Sequence, residues 1–212
     1  MGSQNKSNRI YMKYVSIDIE TTGLDLETCQ VLSIGAVIED TRNTKPLNEL
    51  PIFHGVIVSE HISGQPYGIN MNKDLIEDIV YYQTSNDSER FDLEKLKGVK
   101  FYKKDTIVKA FYDFLLENGI EPDGDVVHIT AAGKNFATFD LKFLERLPRW
   151  KQWIRVRQRI IDPSILFTDW DNDESLPGLS KCKERCGLPP EVAHDAVEDA
   201  MDVISLLRSE YC

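Results

Sequence analysis

Hydrophobic and polar positions alternate with period two through Tyr14-Val15-Ser16-Ile17-Asp18-Ile19-Glu20, the pattern of a β-strand. Val15, Ile17 and Ile19 then project to one side, and Ser16, Asp18 and Glu20 to the other. Thr21-Thr22-Gly23-Leu24 breaks the alternation as a turn. A near-continuous apolar run over 31–38 and a third candidate over 52–58 predict two more strands, so an antiparallel meander opens the chain. Beyond it the spacing becomes helical. Leu75, Ile76 and Ile79 mark a helix within 72–82, and Ile107, Val108, Phe111, Phe114 and Leu115 mark another within 105–117, with Asn118-Gly119 as its stop signal. Residues 83–97 are polar and charged and read as an exposed loop. A short strand over 125–129 precedes a helix over 138–147 that Pro148 ends. Asp162-Pro163 reads as an N-cap followed by a first-turn proline, residues 169–174 as an acidic loop, 179–186 as a short helix and 195–210 as a longer one. Strands first, then helices alternating with short strands, predict an α/β domain: a mixed five-to-six-stranded sheet flanked by helices on both faces. Residues 12–212 read as one domain, and the polar 1–11 as a disordered tail or cloning remnant.

Charge narrows the function classes. The 212 residues carry 25 Lys plus Arg against 35 Asp plus Glu, a formal charge of −10. A chain this acidic lacks the broad basic face on which long duplexes are gripped through their phosphates. Small substrates, strand ends and protein partners remain open. No run approaches the apolar length of a membrane span, the first residues show no secretory signal, and the four cysteines are too few and scattered for a disulfide framework. The expected compartment is cytoplasmic. Cys182 and Cys186 have no histidine partner at metal-ligand spacing, so zinc is not expected, and His54, His61 and His128 stand in no motif.

The placement of the acids is the more pointed signal. Asp18 and Glu20 are two apart on one predicted strand, so both project from the same side, roughly 6.6 Å apart along the chain. Taken alone, the pair also suits a solvated strand face. Asp195-Ala196-Val197-Glu198 has the Asp-x-x-Glu pattern of a capping box, so the last helix starts at Ala196 with His194 just outside it in a loop. Asp199 then shares an arc with Ala196, Val203 and Leu206, a packed helix face on which a carboxylate must be paired or bind a metal. Asp140 shares a stripe with Phe143, Leu144 and Leu147, and equally suits a first-turn aspartate favoured by the helix dipole.

Together these residues are recognisable. Asp18-Ile19-Glu20-Thr21-Thr22-Gly23-Leu24 resembles the first motif of the DEDDh 3'-to-5' exonucleases, the family of the DNA polymerase III proofreading subunit. Asn135-Phe136-Ala137-Thr138-Phe139-Asp140 resembles the second motif and His194-Asp195-Ala196-Val197-Glu198-Asp199 the third, in family order. Gly133-Lys134 precede Asn135, where the family often has histidine. The resemblance implies a ribonuclease H-like fold and two divalent metal ions, Mg²⁺ or Mn²⁺. By the same resemblance Asp18 bridges both ions, Glu20 and Asp199 hold the one on the nucleophile side, Asp140 supports the other, and His194 is the general base. Leu24 matches the position packing under the terminal base and Thr21 one beside it, while Asn135 supports the site through hydrogen bonds.

The implied activity is hydrolysis of single-stranded DNA or RNA from the 3' end with release of nucleoside 5'-monophosphates, and a polymerase or a second copy of the chain is an implied partner. The same fold also serves a catalytically idle end-binding or polymerase-accessory subunit, and a phosphoesterase acting on nucleotides is a third reading. From the residues themselves, Arg149 to Arg159 contains five basic and no acidic side chains with Trp150 and Trp153 interleaved. Arg155, Arg157 and Arg159 are therefore candidate substrate contacts, with a solvated loop and strand edge as the plainer reading.

Overall fold

The computed structural model describes residues 12–212; the tail expected over 1–11 lies outside the described residues. The chain opens with β1 (Lys13–Thr21), β2 (Val31–Asp40) and β3 (Ile52–Val58), paired antiparallel in sequence order. Helices α1 (Pro66–Met71), α2 (Lys73–Thr84) and α3 (Asp87–Lys97) lead to β4 (Lys100–Lys103), which lies parallel to β3. Then come α4 (Ile107–Glu117), β5 (Pro122–Asp123), β6 (Val126–Ile129), β7 (Ala131–Ala132), α5 (Asp140–Leu144), α6 (Trp150–Trp153) and β8 (Ile154–Val156). A 3-10 turn over Pro163–Phe167 leads to α7 (Leu179–Cys186) and α8 (Ala196–Arg208).

The result is the expected mixed sheet flanked by helices. Five strands run in the order β4-β3-β2-β1-β7, and β5-β6-β8 form a separate three-stranded sheet. β1 is interior, antiparallel to β2 and parallel to β7. Its odd positions, Val15, Ile17 and Ile19, pack with Phe111 and Leu115 of α4, Phe143 of α5 and Trp150 of α6. On the other face Tyr14 and Val37 meet Val203, Ile204 and Leu207 of α8. Leu32 and Val56 meet Ile79 of α2 and Leu93 of α3. Among the described residues no helix is long and apolar enough to cross a membrane.

Two sequence expectations are corrected. Residues 83–97 are not a loop, because they contain α3. Asn86 accepts from the Ser88 and Glu89 amides and the Glu89 side chain bonds back to the Asn86 N–H, a full capping box, while Gly98 closes the helix at φ +66°. Only Leu93 is buried in this helix, so no apolar stripe announces it. The helix expected over 138–147 is regular only through α5. It tightens afterwards into i→i+3 bonds from Arg146 to Phe143 and from Leu147 to Leu144, and Leu147 still reaches the core.

Gly35 sets the height of α8 above the sheet. Its row in the sheet is Asp18–Gly35–His54, and a Cβ there would come within 2.2 Å of the Ala196 carbonyl carbon and 2.5 Å of the Val197 nitrogen. Backbone of the first helical turn thus lies directly on this glycine, beside Asp18. Gly35→Ala is expected to lower stability by about 1–3 kcal/mol, or about 2–4 °C of Tm per kcal/mol in a chain of this size. An unchanged melting temperature would contradict this packing.

Candidate active site

β1 carries Asp18 and Glu20 onto the α8 side, and α8 brings Asp199 down to meet them. One oxygen from each of Asp18, Glu20 and Asp199 lies within 4.8 Å of the others. This is no solvated strand face, since Glu20 is 6% and Asp199 8% exposed. Asp199 Oδ1 is buried without a hydrogen-bond partner among the described residues. Such an orphaned anionic oxygen is costly unless a cation or a proton reaches it. Hard carboxylate oxygens converging in this way are the donor set that suits Mg²⁺ or Mn²⁺. Asp140 stands at the edge of this group, buried at the start of α5, where its Oδ1 accepts the Ile19 N–H at 3.2 Å.

Burial raises every one of these carboxyls, and neighbouring carboxylates add to it at Asp18, Glu20 and Asp199. Burial, then Asp140, Asp199 and Glu20, push Asp18 well above the ordinary carboxylate range. Burial lifts Glu20 to about 8, opposed by the Asn72 amide and reinforced by Asp199, Asp195 and Asp140. Asp140 rises to about 7 by burial, against the backbone N–H groups that it accepts. Asp199 rises to about 6 through burial and Asp202, with His194 and Lys183 pulling the other way.

The residues around the acids are positioned by local geometry. Asp195 caps α8 by itself, accepting from the Val197 and Glu198 amides at 2.9 and 3.1 Å. The capping box expected here is only half formed, because among the described residues the Glu198 carboxylate accepts no bond from the Asp195 N–H. His194 precedes the cap with φ +53°, a left-handed conformation uncommon outside glycine, and its side chain is exposed. His194, Asp195, Glu20 and Asn72 line one cavity of about 330 Å³. Thr21 is buried and spends its hydroxyl on the Gly23 carbonyl at 2.8 Å. Leu24 is 74% exposed, its amide donating to Gln65 Oε1 at 2.8 Å. Asn135 turns the chain at φ +57° into the segment before α5. Its amide donates to Asp162 Oδ2 at 3.0 Å and its carbonyl accepts from Thr138 and Phe139.

Arg155, Arg157 and Arg159 are exposed but not brought to the acids. Arg155 lies on β8 opposite His128, and Arg157 lines a cavity with Lys13 and Val15, toward the other end of β1. Trp150 is 1% exposed and stacks on Phe111, so it belongs to the core and is no base platform.

Three neighbours carried no sequence signal. Asn72, 4% exposed, donates to the Thr21 carbonyl at 3.0 Å and faces Glu20. His54 lines the same cavity, with Nε2 3.9 Å from Asp195. Ser33, opposite Glu20 in the register, has a buried hydroxyl without a partner among the described residues. All three arrive through tertiary packing and stand in no local motif.

No protein-family model matches the chain, and no curated protein matches its sequence. Solved structures do match. Exonuclease I of E. coli in complex with a dT13 oligonucleotide superposes with a TM-score of 0.54 at 15% identity, over 93% of this chain and 40% of that one. The same enzyme in complex with a 5cy-dT13 oligonucleotide gives 0.53 at 14%, over 93% and 40%. Its complex with a dA16 oligonucleotide gives 0.52 at 14%, over 93% and 41%. The chain thus spans about two fifths of the length of the proteins it matches. At this identity the likeness establishes the fold, a ribonuclease H-like α/β architecture.

The raised carboxyls make a signed pH prediction. Because Glu20 holds its proton up to about pH 8 in the folded chain, the native state binds more protons than the unfolded one between about pH 4 and pH 8. The cluster's contribution to stability therefore falls as pH rises through that window. In EDTA, Asp18→Asn should be more stable than the wild type, by a margin that widens from pH 5 to pH 8. Thermal melts showing a constant or shrinking margin would contradict the crowding.

Proposed function

We propose that this chain is a metal-dependent 3'-to-5' exonuclease acting on single-stranded DNA or RNA and releasing nucleoside 5'-monophosphates. One observation carries the reading: Asp18, Glu20 and Asp199 converge with an orphaned Asp199 oxygen, on the fold of an exonuclease crystallised with dT13. Asp18, Glu20, Asp140 and Asp199 are the residues that would hold two divalent cations. When bound, a metal pair stabilises charge on the attacking and leaving oxygens of a phosphodiester and favours ionisation of water.

The chain's own groups supply the rest. His194 Nδ1 or Nε2 accepts the proton of the attacking water, a role for an exposed imidazole on a loop beside Asp199. Leu24, exposed four residues after Glu20, offers an apolar surface to the terminal base. The buried Thr21 turn holds that leucine in place, and Asn135 fixes the segment entering Asp140. Asn72 restrains Glu20 and the Thr21 carbonyl from one buried position.

Digestion of 5'-labelled single-stranded DNA and RNA with Mg²⁺ or Mn²⁺ tests the proposal. A ladder shortening from the 3' end is expected, abolished by EDTA and by Asp18→Asn or Asp199→Asn. His194→Ala should lower kcat by about 10²–10⁴-fold with metal affinity retained. Cleavage that survives EDTA, or a wild-type chain that binds ends without cutting them, would overturn the reading, the latter in favour of an idle end-binding subunit.

A further inference from the structure

The arginines of the described residues fall into two groups. Arg42, Arg90, Arg146, Arg185 and Arg208 each hold a carboxylate. Arg149, Arg155, Arg157 and Arg159 hold none among the described residues, and Arg149 instead lies over the Trp153 ring. In a chain with ten more acids than bases, carboxylates are in excess, and among the described residues the arginines left without one all lie in a single stretch.

The fold gives that stretch a definite face. Ile154 is buried, while Arg155 projects from the other side of β8, and Arg157, just past the strand's end, is exposed as well. β8 runs parallel to β6 with Arg155 beside His128, also exposed. Arg157 and His128 line a cavity of about 340 Å³ together with Lys13, whose Nζ reaches the Asn118 carbonyl at 3.0 Å. Glu121 is the one carboxylate among its lining residues. Arg159, past a bend at Gln158, is also exposed before the chain returns to Ala131 through Ile161.

This surface is not part of the acidic cluster. Lys13 and Glu20 stand at opposite ends of β1, seven residues apart or about 23 Å of strand, and project from opposite faces of the sheet. A stacked single strand joining them needs at least about seven nucleotides at 3.4 Å each. Planar guanidinium forks match phosphate oxygens better than any other side chain.

We propose that Arg155, Arg157 and Arg159, with Lys13 and His128 beside them, form a second contact, taking the backbone phosphates of a single strand upstream of a 3' end held at the acidic cluster. The proposal rests on the exonuclease reading for its substrate class and adds a surface that reading does not use. It also gives an acidic protein a local basic surface with which to engage nucleic acid.

The test is equilibrium binding of a fluorescent single-stranded 20-mer in EDTA, where cleavage does not interfere, across a salt series. Replacing Arg155, Arg157 and Arg159 by Gln should weaken binding about tenfold and reduce the slope of log K against log salt by about 2, three contacts at about 0.7 each. The triple Lys variant should keep most of that slope, because the charge remains. An unchanged affinity and slope in the Gln variant, an equal loss in the Lys variant, or a wild type that does not bind the 20-mer would overturn the proposal; a basic face meant for a protein partner gives the first of these. Absence of cleavage in Mg²⁺ sinks the exonuclease reading instead and leaves this binding result standing.

Discussion

Three carboxylates converge on one space, and among the described residues none of them is paired with a side-chain cation. Asp18, Glu20 and Asp199 have oxygens within 4.8 Å of one another, and the nearby Lys183 is committed to Asp202 at 2.5 Å. Two like charges about 5 Å apart repel by about 3 kcal/mol even at an effective permittivity near 20, and desolvation adds to that. The chain therefore carries protons on these groups or admits cations to them. Every neighbouring element acts to keep the carboxylates together against their repulsion.

α8 is held at both ends for this purpose. Its first turn rests on Gly35 and is capped by Asp195, with His54 near the cap. At its far end Arg208 pairs with the fully buried Glu39 and also donates to the Lys45 carbonyl. From the other side, Gly64 and Gly68 allow α1 and the loop before it to close on Thr22, since a Cβ at either would meet Thr22 atoms within 2.5 Å. That clamp fixes the turn between Glu20 and Leu24. Lys183 also bonds the Glu191 carbonyl, so the start of the loop leading to His194 is tethered while His194 itself stays exposed. A rigid acidic floor beneath an accessible imidazole follows from these contacts.

Much of this was legible in the sequence because it is local. Period-two alternation placed Asp18 and Glu20 on one side of β1, and the Asp195 cap fixed the start of α8 and with it the buried arc of Asp199. α3 was missed because capping and ion pairs hold it with one buried leucine, so hydrophobic spacing had nothing to report. Asn72, His54 and Ser33 were invisible for another reason: only the register of β1, β2 and β3 and the packing of α1 against the first turn bring them to the acids. The basic stretch was visible in composition, but its place was not. Parallel pairing of β8 with β6 sets Arg155 and Arg157 far along β1 from Glu20 and sends Trp150 into the core.

The central claim is that the converged carboxylates exist to hold divalent cations. A crystal of the protein soaked in Mn²⁺, with data collected for the anomalous signal of manganese, tests it most directly. The account predicts anomalous density about 2.1 Å from oxygens of Asp18, Glu20 and Asp199, with Asp199 Oδ1 among the ligands. Saturating Mn²⁺ that leaves no density between these three residues would contradict it.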